Sequence, residues 1–445
     1  MSIEPHFRIL AARVPGVVDR VARRLVMGKL AGLQGGRITI ADGTGNTALG
    51  SGGNLRTTVC VHNPRFYRQA ALGGSLGAAG SYLQGDWDCE NLTELFRLFI
   101  RNSMAKDRLD RGWSRLAQWL HRLGHWFKAN TPAGSRRNIG AHYDLGNDFF
   151  RLWLDDTLAY SSGIFPSPCA TLREASIEKF DRVCSKLDLR PRDHLLEIGT
   201  GWGGLAIHAA QHYGCRVTTT TISQQQFDLA SRRIKAAGLV GRVTPLLKDY
   251  RDLTGRFDKL VSIEMIEAVG NRFLDTYFRK CGDLLKPDGT MVLQAIVMPD
   301  RHYDEYLHSV DFIRRYVFPG GCLPSIATIL ESVGRASRLR FVHAEEFGPH
   351  YAETLRRWQK SFFERGEDVR SLGYPAEFIR LWEYYLCYCE AAFEERRVGV
   401  VQMQLDNPNC LRDPLAIGQR AACVFSSARE TAAAKGSSTP QSCLV

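Results

Sequence analysis

A glycine-rich segment, Glu197-Ile-Gly-Thr-Gly-Trp-Gly-Gly204, follows one short apolar run and opens a helical one. Its Gly199-x-Gly201-x-x-Gly204 spacing lets main chain approach a ligand closely and tolerates positive φ. Two neighbouring features select the ligand. A nicotinamide dinucleotide site needs an acidic residue at the end of the second strand, about 20 residues on. That place holds Thr220, Thr221 and Ile222, and no carboxylate follows until Asp228. Glu197 lies just ahead of the glycines, where its charge suits a ligand bearing an ammonium and a sulfonium better than a pyrophosphate. Both features favour S-adenosylmethionine. Asp249-Tyr250, after a third apolar run, offers an acceptor for an adenine amino group and a ring to stack on it; simple packing of Tyr250 is the other reading. After a fourth run come two carboxylates, Glu264 and Glu267. For Glu264, a structural role at a helix N-terminus stands beside a catalytic one.

These residues need a scaffold that gathers strand ends. Short apolar runs at 194–198, 216–222, 243–247, 257–264 and 290–297 alternate with helical periodicity at 203–212, 224–237 and 273–285. Such alternation predicts a parallel sheet covered on both faces. Upstream, 31–60 reads as short strands joined by Gly-rich turns, 77–88 as a turn-rich connector, and 91–128 as helices. Thr131-Pro-Ala-Gly-Ser135 breaks that pattern and suggests a domain boundary. Downstream, 303–395 returns to helical periodicity with many aromatics.

The chain has 445 residues, 44% hydrophobic and 24% charged, which excludes wholesale disorder and collagen-like repeats. Its 12 cysteines are scattered; only Cys387-Tyr-Cys389 is close-set, and that spacing is too tight for a zinc loop, so no metal is expected. Scattered cysteines fit a reduced compartment. Arg8 and Arg13 interrupt the apolar stretch a secretory signal requires. No run of about 18 uncharged apolar residues occurs, so no membrane-spanning helix is expected. Residues 426–445 are poor in large apolar groups and read as disordered.

Taken collinearly, a set of motifs resembles the cyclopropane-fatty-acyl-phospholipid synthases, relatives of the mycolic acid cyclopropane synthases. It comprises Gly85-Asp-Trp-Asp88, Asn138-Ile-Gly-Ala-His-Tyr-Asp-Leu-Gly-Asn-Asp-Phe-Phe150, Tyr160-Ser161, the glycine segment, Thr221-Ile-Ser-x-x-Gln226, Ser262-x-x-x-x-Glu267, Tyr316-Val-Phe-Pro-Gly-Gly-Cys-Leu-Pro-Ser325 and His350-Tyr351. It spans roughly residues 75–405. The resemblance implies a Rossmann-like class I S-adenosylmethionine methyltransferase with a helical insertion, plus a small N-terminal α+β domain. It implies cofactor contacts at Tyr160, Ser161, Gly199, Gly201, Thr221, Ile222 and Gln226, joined by Glu197, Asp249 and Tyr250. The reaction it implies is methyl transfer to a cis double bond of an acyl chain. That creates a carbocation, which aromatic faces can stabilise and which must be kept from water.

Family members hold a bicarbonate as the base that removes a proton from this cation. Carried over, Glu267, Ile296 and Tyr351 match three of its ligands. Two positions depart: Ser162 stands where the family has Cys, and Gln294 where it has His. Both can still hydrogen-bond an anion, with lower expected affinity. The departures put ring closure in doubt. A cyclopropane is the first expectation; a methyl- or methylene-branched chain of equal mass is the alternative.

The net charge is +11, from 58 basic and 47 acidic residues. Residues 101–137 concentrate basic residues with Trp113, Trp119 and Trp126, a pattern suited to an anionic lipid interface; packing of that Trp face on the catalytic domain is the other reading. The segment 5–33 is a second basic candidate. No nucleic-acid module or N/D-P-P-Y/F motif appears, so the expected partner is unsaturated phospholipid in an anionic membrane, approached peripherally from the cytoplasmic inner face. A homodimer is compatible with the sequence. The expected organisation is 1–130 as a lipid-associating α+β domain, 131–405 as the methyltransferase domain and 406–445 as an extension.

Overall fold

The computed structural model describes residues 16–106 and 145–412. The helical reading of 107–128, the boundary at 131, nearly all of the 101–137 basic segment, most of the 138–150 motif and the tail beyond 412 lie outside those residues.

A seven-stranded sheet holds the catalytic part, in the order β10-β11-β9-β8-β5-β6-β7. Strands β5 (His194–Ile198), β6 (Arg216–Thr221), β7 (Val243–Leu247), β8 (Phe257–Ile263) and β9 (Leu285–Val297) run parallel. The central strands β5, β8 and β9 carry near-continuous apolar runs because both faces are covered: Leu195, Leu196, Leu260, Val261, Val292 and Leu293 are all fully buried, whereas β6 is threonine-rich and β7 is a partly exposed edge. The chain goes from β5 outward to β7, then returns to the other side of β5 for β8 and β9. That reversal opens a crevice beyond the carboxyl ends of β5 and β8, where open α/β sheets bind ligands.

Two strands were not expected. β10 (Arg340–Glu346) and β11 (Gly399–Asp406) add antiparallel to β9. β10 is an edge strand with mostly exposed or half-buried side chains, so it carries no apolar run. β11 is buried throughout but contains Gln402 and Gln404, which break its apolar pattern. Helices Ile326–Ala336, Gly348–Glu364 and Ala376–Glu394 supply the rest of the region read as helical.

The N-terminal part packs β1 (Gln34–Asp42), β2 (Gly45–Leu49), β3 (Ser51–Val61) and β4 (Trp87–Cys89) into a four-stranded sheet. Residues 77–83, expected as connector, belong to a kinked helix, Arg65–Leu83. The glycines there serve close approach: a Cβ on Gly77 would sit 2.0 Å from the Gln69 carbonyl across the kink at Gly74. Helix Leu92–Lys106 lies on helix Ala376–Glu394. Thr93 bonds Glu390, and Arg97 and Arg101 both pair with Glu395. Arg380 donates to the carbonyls of Tyr82 and Trp87. One apolar cluster runs from Ile38 and Leu98 through Tyr384 to Trp358. At the other end, Arg412 reaches the Lys186 carbonyl and the Thr290 hydroxyl, so chain beyond β11 still packs on the sheet.

Candidate active site

A cavity of about 470 Å³ opens at the crevice. Every residue expected at the cofactor lines it: Tyr160, Ser161, Glu197, Gly199, Gly201, Thr221, Ile222, Gln226, Asp249 and Tyr250. Of those expected at the reacting centre, Glu267, Ile296 and Tyr351 line it too. Ser162 and Gln294 are fully buried just behind the lining.

The glycine turn leaves β5 through three positive φ values, Gly199 (104°), Gly201 (50°) and Gly203 (85°). The amides of Gly199 and Thr200 both donate to the Thr220 carbonyl at 3.0 Å, which ties the turn to the end of β6. Thr221 donates to Gln226 at 2.8 Å, and Ser223 caps the helix Gln224–Ala236. Glu197 points inward from β5 and accepts from Thr219 at 2.5 Å. Burial pushes its acid up to about 8, against the pull of Thr219 and Lys179.

Lys179 was not anticipated. It sits in helix Leu172–Lys186 with no motif around it, fully buried, and donates to the Ser161 hydroxyl at 2.7 Å. Burial brings its ammonium down to about 8, while Glu264, Asp155 and Glu197 hold it up. The cavity floor therefore carries one buried cation among several carboxylates. Asp249 differs from expectation in its engagement: its two oxygens take the Arg251 guanidinium at 2.9 and 2.7 Å. An adenine amino group would have to share these oxygens. Tyr250 meets Tyr277 edge-on and has the Arg251 guanidinium 5.5 Å from its ring centroid.

The reacting centre is built around Glu264, which follows β8 with a φ of 47°. One carboxylate oxygen accepts the Ser162 amide at 3.0 Å and the Gln294 side-chain amide at 2.7 Å. The other accepts the Tyr351 hydroxyl at 2.6 Å. The Ser162 hydroxyl turns away to its neighbour's carbonyl, so this residue contributes main chain alone. Glu267 accepts the Ile296 amide at 2.6 Å with one oxygen; its other oxygen is shielded from solvent and has no hydrogen-bond partner. Burial and the charge of Glu264 push the Glu267 acid up to about 8. The donors expected for a bicarbonate thus already hold a carboxylate of this chain, and a free bicarbonate does not fit beside it.

Aromatic and aliphatic walls complete the cavity, among them Tyr306, Phe318, Tyr385, Tyr388 and Phe393. No group of three or more His, Cys, Asp or Glu suited to a metal occurs among the described residues.

A parallel sheet with a glycine turn, buried Glu197 and uncharged ribose-facing side chains defines a class I S-adenosylmethionine-dependent methyltransferase. Comparisons extend this. Residues 131–403 match the family described as mycolic acid cyclopropane synthetase. The chain is 38% identical over 381 residues to the tuberculostearic acid methyltransferase UfaA1 of Mycobacterium tuberculosis, covering 83% of this chain and 87% of that one. It is 34% identical over 362 residues to the cyclopropane-fatty-acyl-phospholipid synthase of Escherichia coli (strain K12), covering 79% and 88%. Among solved structures, the cyclopropane synthase MmaA2 from Mycobacterium tuberculosis aligns with a TM-score of 0.58 at 29% identity, over 61% of this chain and 98% of that one. The mycolic acid cyclopropane synthase CmaA1, complexed with SAH and CTAB, aligns at 0.57 and 30% identity, over 61% and 98%. The chain belongs to the mycolic acid cyclopropane synthetase family, and S-adenosylmethionine is its cofactor. It is a methyltransferase of lipid acyl chains.

A pH dependence of cofactor binding follows. A sulfonium and an ammonium are best opposed by an ionised Glu197, yet burial holds that acid neutral below about 8. Binding must then release a proton, so affinity should rise with pH toward about 8, by up to roughly tenfold per unit. Lys179, lowered to about 8, loses its competing charge over the same range and acts in the same direction. Calorimetric titration of S-adenosylmethionine at several pH values checks this. Glu197→Gln should weaken binding and flatten the slope; an unchanged slope would assign it to other groups.

Proposed function

We propose that this protein transfers the methyl group of S-adenosylmethionine to the cis double bond of an unsaturated phospholipid acyl chain and closes a cyclopropane ring. The observation that carries this reading is one cavity joining the glycine turn to a two-carboxylate cluster beneath aromatic walls. S-adenosylmethionine supplies an electrophilic methyl group. Tyr160, Ser161, Glu197, Gly199, Gly201, Thr221, Ile222, Gln226, Asp249 and Tyr250 hold and orient it. Aromatic faces shelter the carbocation at little cost in reactivity, and a mostly apolar lining disfavours the water that would convert it to an alcohol.

Among the described residues, no helix is long and apolar enough to cross a membrane. With a net charge of +11, peripheral docking on an anionic leaflet is the corresponding mode of access, on the inner face. A second reading, a methyl- or methylene-branched chain that keeps one unsaturation, is favoured by the relative named as a tuberculostearic acid methyltransferase.

The test incubates the protein with S-adenosylmethionine and vesicles of mono-unsaturated anionic phospholipid. Proton NMR of the recovered fatty esters separates cyclopropane methylene from exomethylene and branched-methyl signals, which mass alone does not. Recovery of unmodified lipid would overturn both readings.

A further inference from the structure

The direction of a buried hydrogen-bond chain aims fixed donors at Glu264 and favours its ionised form. Lys186, at the base of the chain, only donates. Its ammonium bonds the Gln402 carbonyl oxygen at 2.5 Å. The Gln402 amide nitrogen is thereby committed to donate, and it bonds the Gln294 carbonyl oxygen at 2.9 Å. Gln294 in turn has only its amide nitrogen left for Glu264. The Ser162 main-chain amide can only donate as well. Two obligatory donors thus converge on one oxygen of Glu264, and the Tyr351 hydroxyl donates to the other. Donors at both oxygens favour the ionised carboxylate and oppose the upward push of burial on this acid. Lys179 adds a nearby positive charge.

We infer that Glu264 is a tethered proton acceptor that takes the place of a free bicarbonate, so this enzyme turns over without added anion. The inference rests on the methyl-transfer reading above. Methyl transfer breaks the S–C bond and forms a C–C bond from the alkene π pair, leaving a neutral thioether and a carbocation. Glu264 then takes a proton from the transferred methyl. The released C–H pair closes the third ring bond or, after a 1,2-hydride shift, forms an exomethylene π bond. The proton ends on Glu264 and leaves to solvent on product release. With Glu264 ionised, Glu267, whose acid sits near 8 beside this charge, holds the one proton of the pair at neutral pH.

The cradle also explains two other residue types. An imidazole at 294 could carry charge, whereas an amide oriented by Gln402 is a fixed neutral donor. A main-chain amide at 162 makes the side chain there dispensable.

The experiment compares the full-length chain with Glu264→Gly and Glu264→Gln on unsaturated phospholipid vesicles, in CO₂-free buffer and with added sodium bicarbonate. Position 264 already has a positive φ, so glycine is accommodated there. The parent chain should be equally active in both buffers. Both variants should lose about 10²–10⁴-fold in CO₂-free buffer. Bicarbonate should restore Glu264→Gly, whose cradle is open, and not Glu264→Gln, whose amide fills it. Retained S-adenosylmethionine binding shows that the variants fold. A parent chain that needs bicarbonate, or a Glu264→Gln variant with near-parental rate, overturns the inference. A parent chain that methylates no lipid in either buffer overturns the methyl-transfer reading and this inference with it.

Discussion

Tyr351→Phe should lower turnover by about 10- to 100-fold at neutral pH and leave S-adenosylmethionine affinity unchanged. The hydroxyl that is lost donates to Glu264 at 2.6 Å. The ring itself stays supported, stacked on Phe393 at 4.3 Å and edge-on to Trp358, so the packing survives. A hydrogen bond to a charged group contributes about 1.5–3 kcal/mol, which sets the magnitude. The sign with pH follows. Burial already raises the Glu264 acid, and the hydroxyl opposes that rise. Removing it raises the acid further, so ionisation of the carboxylate, and with it activity, begins at a higher pH. Activity of the variant should therefore recover as pH increases, with its acidic limb displaced upward from that of the parent. Lys179 and Glu267 also face this carboxylate and titrate near 8, so the alkaline side reports on all three groups. Steady-state rates against pH for both proteins give the comparison. An unshifted acidic limb would detach Tyr351 from the proton acceptor.

What the sequence made legible is what local pattern encodes. Strands β5, β8 and β9 are buried on both faces and appear as apolar runs, and threonine-rich β6 and edge strand β7 keep the alternation with helices, so the parallel sheet and its turns could be read directly. The glycine turn could be read because three successive positive φ values demand glycine. Pairing across the sheet was not legible. β11 hides behind Gln402 and Gln404, and β10 presents polar residues at an edge. Gln402 also shows why part of the site was missed. Gln402 comes from β11, Lys186 from a helix end and Gln294 from β9, and their meeting is set only by register. Lys179 likewise looks like one cation on an amphipathic helix until burial places it at the cavity floor. Glu264 was visible as a carboxylate whose catalytic reading stood beside a structural one. Its position between donors depends on a left-handed main-chain turn that no local spacing announces.

Gly199→Val should weaken S-adenosylmethionine binding by on the order of 10- to 100-fold, and should also lower turnover at saturating cofactor. Position 199 has a φ of 104°, a region that branched side chains avoid. Holding valine there costs about 1–3 kcal/mol, and relaxing it moves the turn that carries Gly201. The second effect is steric. A Cβ at 199 would already touch Met265, 3.4 Å from its Cβ and 3.5 Å from its Cγ, which leaves little room on that side for the added γ carbons. Met265 directly follows Glu264, itself held at a φ of 47°. A side chain at 199 would therefore reach the segment that carries the carboxylate cradle, across the ends of β5 and β8. Gly241→Val is the control. It has a comparable φ of 88°, open space around it and no place in the cavity lining. Both variants should lose thermal stability, while only Gly199→Val should lose affinity by calorimetry and rate at saturation. Equal affinities for the two variants would show the glycine turn to be a folding requirement without a part in holding the cofactor. A Gly199→Val variant that binds weakly yet turns over normally at saturation would break the proposed coupling between turn and cradle.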